Sequence, residues 1–302
     1  MYVMHTIIVP LDGSQVAEDA LAPARGIVAA TQAHLVLVQG VQFTVASHQQ
    51  EVAAHAAVTE AQRYLRTVAE HLEREGITAR AEVLPGTPEQ AILFAAQVHQ
   101  ADLIVISTHG RSALRHVFAG SVAEAVLRHA ECPVLITHPG NKAPAGEQSA
   151  RRILVPLDGS PLSEAALAYL TSEQLGAGAH VILLRVVERP ALSGAPLVTG
   201  QASDEFFAYA DAQVAKDQES AEQYLSALGE RYLQGVEWEK HVVVGYAVED
   251  IVHCAKELRA GLIVMASEGR HGFERLLYGS VAGRVLRHAP MPVLVVHDVS
   301  SQ

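Results

Sequence analysis

The stretch Ile8-Val9-Pro10-Leu11-Asp12-Gly13-Ser14 recurs as Leu154-Val155-Pro156-Leu157-Asp158-Gly159-Ser160, 146 residues later. An apolar run that stops at Asp-Gly-Ser reads as a buried strand, a tight turn and the start of a helix. Ser14 and Ser160 can cap that helix, and Pro161 suits a first helical turn. Further along, Gly110-Arg111 returns as Gly269-Arg270 and Gly120-Ser121-Val122-Ala123 as Gly279-Ser280-Val281-Ala282. Val126-Leu127-Arg128-His129-Ala130 returns as Val285-Leu286-Arg287-His288-Ala289, and Pro133-Val134-Leu135 as Pro292-Val293-Leu294, all 159 residues apart. Two such copies are a duplicated domain and not a solenoid. The 13 residues by which the second offset exceeds the first are extra chain in the second copy. Arg189 to Asp204, rich in Pro, Gly and Ser, is expected to be that loop. The expected division is a first domain at 1–138, a linker at 139–150 (Pro139 to Ala150) and a second domain at 151–302.

Each copy alternates strand and helix. In the first, strands are expected near residues 5–11, 34–41, 78–84, 102–107 and 133–138, with helices near 15–30, 50–75, 88–99 and 121–130. Five strands separated by helices imply an α/β fold with a doubly wound parallel sheet, twice over. Leu103-Ile104-Val105-Ile106 and Leu262-Ile263-Val264-Met265 read as strands buried on both faces. Thr87-Pro88-Glu89-Gln90 carries a helix-starting proline and a reciprocal cap, and Ser121 to Glu124 reads as a second capping box. In the other copy that box keeps Ser280 and has Gly283 in place of the acid.

A formal net charge of −11 is poor electrostatics for sequence-independent binding to nucleic acid or an anionic membrane. Any phosphate site must then be local. No apolar run approaches a membrane span, and the N-terminus lacks a signal-peptide pattern. Cys132 and Cys254 occupy non-equivalent places without CxxC spacing, which reads as a reducing, cytoplasmic setting without a disulfide framework. The 16 histidines are scattered, without HExxH or finger spacing. His48 and His55, two helical turns apart, could share a face, but no metal site is expected.

In open α/β sheets ligands bind beyond the carboxyl ends of the strands, where the strand order reverses. Two segments per copy reach such an end. One is Pro10-Leu11-Asp12 (Pro156-Leu157-Asp158), whose carboxylate can accept from a ribose hydroxyl or close an Asx-turn that caps the helix; the first reading is favoured. The other runs from Ser107 through Gly110 and Arg111 to Gly120 and Ser121, ending at a helix N-terminus whose free N–H groups and dipole suit an anion. The same glycines and serine also make a plain strand-to-helix turn. There is no GxxxxGK[ST] and no nucleophile elbow. Asp12, Ser14 and His109 could be grouped as a triad, but His109 aligns with Glu268, so a dedicated hydrolytic base is not expected.

The loop and its sequel, THGRSALRHVFAGSVAEAVLRHAECPVLITH and EGRHGFERLLYGSVAGRVLRHAPMPVLVVH, resemble the universal stress protein family, as does the VPLDGS opening. The resemblance covers essentially the whole chain. It implies an adenine nucleotide alpha hydrolase-like sheet of order 3-2-1-4-5 in each half, with halves paired through their last strands, Val134–Thr137 and Val293–Val296, and a possible homodimer besides. One branch of the family binds ATP through G-x2-G-x9-G-[ST], with a divalent ion such as Mg²⁺ accompanying the nucleotide; the other binds none. Gly110-x9-Gly120-Ser121 and Gly269-x9-Gly279-Ser280 match, while Ser107 and Ala266 replace the leading glycine. If that position requires positive φ, the replacement costs about 1–2 kcal/mol. The resemblance also implies adenosine contacts at Pro10, Leu11, Asp12 and Ile106 in the first copy, with Val122 beside Ser121 as a further cofactor-binding residue. In the second the adenosine contacts fall at Pro156, Leu157, Asp158, Val186 and Met265, with Val281 beside Ser280 as a further cofactor-binding residue. Gly40 stands where Val186 would wall the adenine, so the second copy is expected to hold ATP more tightly. The function implied is a stress-response module with an unidentified protein partner. The alternatives are a non-nucleotide interaction protein and a slow ATPase with a loop-bound divalent ion.

Overall fold

The structure, a computed structural model, describes residues 4–43, 47–108, 121–139, 152–172, 178–188, 201–267 and 281–297. The linker beyond Pro139 and most of both glycine-bearing loops lie outside these residues. The first half runs β1 (Thr6–Pro10), α1 (Gln15–Glu18), α2 (Leu21–Thr31), β2 (His34–Val41), α3 (His48–Arg74), β3 (Ala79–Pro85), α4 (Pro88–Val98), β4 (Leu103–Ser107), α5 (Ser121–His129) and β5 (Val134–Thr137). The second runs β6 (Arg152–Pro156), α6 (Pro161–Ser172), β7 (His180–Val187), α7 (Gln201–Tyr232), β8 (Glu237–Val244), α8 (Ala247–Glu257), β9 (Leu262–Ser267), α9 (Val281–His288) and β10 (Val293–His297).

All ten strands form one sheet in the order β3-β2-β1-β4-β5-β10-β9-β6-β7-β8. Every pairing is parallel except the central one, where Leu294 faces Leu135 across the antiparallel β5–β10 seam. The carboxyl ends of the two halves' strands therefore lie on opposite edges of the sheet. Alternate side chains fill two cores. On one face Ile8, Val36, Ile104 and Val134 pack under Ile92 of α4 and Val126 of α5, continuing into Leu154, Ile182, Ile263 and Leu286. On the other, Ile7, Leu35, Leu37 and Val105 pack under Val28, Leu65 and Leu72, continuing into Val155, Leu183, Leu167 and Leu225. Covering on both faces is why these strands read as unbroken Val/Ile/Leu runs.

The helix expected over 15–30 is two helices, with Asp19 and Ala20 between them. Pro23 has no N–H to donate to the Asp19 carbonyl and its ring crowds that position, so one continuous helix cannot form. The second copy has no such proline and α6 runs unbroken from Pro161. The Thr87 capping box is present in both directions, with Pro88 in the first turn. The box expected at Ser121 is not: α5 already starts at Ser121, and Glu124 accepts from Arg128 at 3.0 Å. The loop expected up to Asp204 ends earlier, because α7 begins at Gln201. Residues 189–200 lie outside the described set.

Candidate functional site

The strand order reverses between β1 and β4, which pair directly through Ile7–Leu103 and Ile8–Ile104. β6 and β9 repeat this through Ile153–Leu262 and Leu154–Ile263. The two expected ligand segments of each copy thus leave neighbouring strands at the same edge. Pro10 ends β1, and buried Leu11 donates its N–H to Val38 O at 2.9 Å, locking the turn to β2. Pro156 ends β6, and Leu157 does the same to Leu184 O at 2.8 Å.

Asp12 and Asp158 are exposed on these turns. The Oδ1 atom of each accepts the N–H of the serine two residues on, Ser14 or Ser160, at 2.9 Å. These are Asx-turns, so one oxygen of each carboxylate already serves the backbone. Ser14 Oγ then accepts from Ala17 N–H, and Ser160 Oγ from Ser163 N–H, both at 3.1 Å. The Ser160 hydroxyl also donates to Asp158 Oδ1. Burial alone would raise the Asp158 pKa; the Ser160 and Ser163 hydrogen bonds and the nearby Arg185 charge outweigh it and hold the carboxyl below its usual range.

Ile106 and Met265 are buried near the ends of β4 and β9, facing the core under α4 and α5 and its counterpart. Ser107 and Ala266 follow them in extended strand, and neither has positive φ. A side chain in place of the leading glycine is therefore not strained here. Ser107 is 9% exposed, and among the described residues its buried Oγ has no hydrogen-bond partner, an orphan that burial makes costly. Ser121 and Val122 open α5; Val281, 38% exposed, opens α9. Gly110, Arg111, Gly120, Gly269, Arg270, Gly279 and Ser280 lie outside the described residues.

Gly40 has a role that its sequence position hides. A Cβ built there would meet Pro88 Cα at 2.9 Å, Thr87 O at 3.0 Å and Ala91 Cβ at 3.1 Å. The start of α4 occupies the space that Val186 fills in the second copy, where Val186 is half-buried on β7. The first site thus has a wall of backbone and Ala91 where a side chain was thought missing.

Three features escaped the sequence reading. Tyr64 of α3 donates to Glu18 at 2.9 Å, and Tyr224 of α7 donates to Glu164 at 3.2 Å, tying each long helix to the helix after the Asx-turn. Burial and these carboxylates raise both phenols, Tyr224 to about 12. The two tyrosines stand 160 residues apart, one off the repeat offset, which was the available signal. Thr108, the last described residue before the first loop, contacts His138 Nδ1 at 2.6 Å, and His138 Nε2 donates to Leu286 O of α9 at 2.7 Å, across the seam. Its counterpart His297 lies 3.4 Å from Ser267 Oγ, and its buried Nε2 has no partner among the described residues. Third, Arg185 Nη1 donates to Leu157 O at 3.2 Å, beside the Asp158 turn. Among the described residues no group of three or more His, Cys, Asp and Glu is arranged to hold a metal ion, and no helix is long and apolar enough to cross a membrane.

With this twofold arrangement in view, comparison with known proteins is direct. The profile of the universal stress protein family matches residues 4–138 and again 149–297. The chain belongs to the universal stress protein family. Among curated relatives, a universal stress protein of Mycolicibacterium smegmatis is 30% identical over 254 residues, 84% of this chain and 79% of that protein. One of Mycobacterium tuberculosis is 29% identical over 228 residues, 74% of this chain and 70% of that one. A universal stress protein structure from Archaeoglobus fulgidus superposes with a TM-score of 0.70 at 21% identity, covering 97% of this chain and 98% of that one, which shows the shared fold.

Proposed function

We propose that this universal stress protein is a cytoplasmic binding module that takes an adenine nucleotide, ATP with Mg²⁺, at the carboxyl end of the strands in one or both halves. The domains are those at 1–138 and 151–302, joined by 139–150. One observation carries the reading. In each half the strand that leads into the Gly-x9-Gly-Ser loop lies directly beside the strand that ends in Leu-Asp-Gly-Ser, at the reversal of strand order. The helix after that loop starts where an anion gains most from free N–H groups.

The chain's own groups fit such a ligand. Each Asx-turn carboxylate stands at this strand end, where it can meet a ribose hydroxyl, while its Oδ1 contact holds it still. Ile106 and Met265 offer an apolar floor for the base, walled by Val186 in one half and by Thr87-Pro88 in the other. The buried Ser107 hydroxyl gains a partner when a polar ligand enters. Mg²⁺ would travel with the triphosphate and neutralise part of its charge.

Calorimetric titration with ATP and Mg²⁺ tests this, together with mass spectrometry of ligand released from freshly purified protein. The expected result is one or two moles of nucleotide per chain, lost when Gly120 and Gly279 are both replaced by valine in protein that keeps its circular dichroism. Protein that comes out empty and gives no heat with ATP refutes it and leaves the non-nucleotide interaction protein as the reading.

A further inference from the structure

We infer that Arg185 is a positioning residue of the second half's site, clamping the Asp158 turn for a ribose; this rests on the nucleotide reading above. Arg185 lies on β7 between buried Leu184 and half-buried Val186. Its neighbour Val186 faces the core under α8, so by strand alternation Arg185 faces the other side, toward α6 and α7. There its guanidinium reaches over the turn. Nη1 donates to Leu157 O at 3.2 Å, and the group faces Gly159, where a Cβ would meet Nη1, Nη2 and Cζ at 3.7, 3.9 and 4.0 Å. Gly159 has φ +85°, a conformation in which a side chain is strained, so the approach and the turn use the same glycine.

The aligned residue in the first half is Gln39, whose buried Oε1 has no hydrogen-bond partner among the described residues. A neutral amide at this position brings no charge of its own to the Leu11–Asp12 turn. In the second half a cation stands next to the carboxylate and a charge-assisted hydrogen bond holds the carbonyl just before it. Asp158 Oδ1 takes both the amide and the hydroxyl of Ser160, while the lowered carboxyl keeps its acceptor oxygens ionised. A turn already fixed in its binding shape loses less entropy when ligand arrives, and that difference appears as affinity.

The test isolates each site. Gly120→Val leaves only the second site and Gly279→Val only the first. In the Gly120→Val protein, Arg185→Gln is expected to weaken ATP binding about fivefold, the scale of half a charge-assisted hydrogen bond. Arg185→Lys should recover part of the loss. Because the clamp acts through the ribose contact, the same substitution should leave the affinity of 2′,3′-dideoxy-ATP unchanged. In the Gly279→Val protein, Arg185→Gln should change nothing. Equal losses for ATP and the dideoxy nucleotide, or an Arg185→Gln protein that melts like its parent and binds ATP as tightly, overturn the inference and leave the nucleotide reading standing. A wild-type chain that binds no nucleotide overturns both.

Discussion

Replacing Gly40 with valine, the residue at the aligned position of the second half, is the perturbation that best separates a local reading of the first site from a tertiary one. Read locally, the change adds the adenine wall that Val186 provides and should tighten ATP binding. The structure says otherwise. A Cβ at Gly40 lies 2.9 Å from Pro88 Cα and 3.0 Å from Thr87 O, against about 3.4 Å for ordinary contact. Both neighbours are backbone and cannot rotate away. The start of α4 must retreat by several tenths of an ångström, and with it the Thr87–Gln90 cap, before either valine γ-carbon is placed. Overpacking of this kind costs about 1–3 kcal/mol. Removing a glycine from a strand returns about 0.5–1 kcal/mol. The net expectation is a loss of about 1–2 kcal/mol, seen as a lower urea midpoint with an unchanged slope. ATP affinity should not rise in a protein whose second site is disabled by Gly279→Val. A Gly40→Val protein as stable as wild type, with a tighter first site, would refute the packing argument.

Other expectations concern the seam and the sheet's amino edge. Burial holds His297 near 4 against an ordinary 6.5, so the unfolded chain binds the extra proton between these values. Folding stability should therefore be full above about pH 6.5 and decline as the pH falls toward 4, by about 3 kcal/mol in all. His297→Gln should flatten that slope in urea titrations run from pH 7 to 4. Glu239 is held below its usual range because its bonds and charge interaction with Arg152 outweigh the opposing effect of burial, with His180 and His241 adding to the lowering. The stability this gives is present above the usual carboxyl pKa and is lost as pH falls through the depressed one. Arg152→Met should move acid unfolding, followed by circular dichroism, to higher pH. Leu294→Ala at the centre of the seam should cost about 2–5 kcal/mol. It should also split a single thermal transition into two as the halves stop supporting each other, whereas an unchanged melt would mean the seam carries little.

Much of this molecule was legible because it says the same thing twice. Aligned repeats placed the strand ends, and the all-apolar runs at Leu103–Ile106 and Leu262–Met265 announced cover on both faces. The misses share a cause. Pro23 splits the first helix through a carbonyl four residues back, a rule available in the sequence but outweighed by the apolar pattern around it. Gly40 was taken as a deficit because only the structure shows α4 pressed against it. Arg185 was passed over inside an apolar strand, since which side of the sheet its charge reaches depends on register. His138 could not be linked to Leu286 without knowing how the halves meet.

The antiparallel join between β5 and β10 sets how the two strand-end sites face. Because the halves run in opposite senses, the two mouths look away from each other, and any flat surface that covers one leaves the other open. On the proposed nucleotide reading, a molecule built in this way would hold two bodies apart at a fixed spacing, as a tether whose ends answer separately.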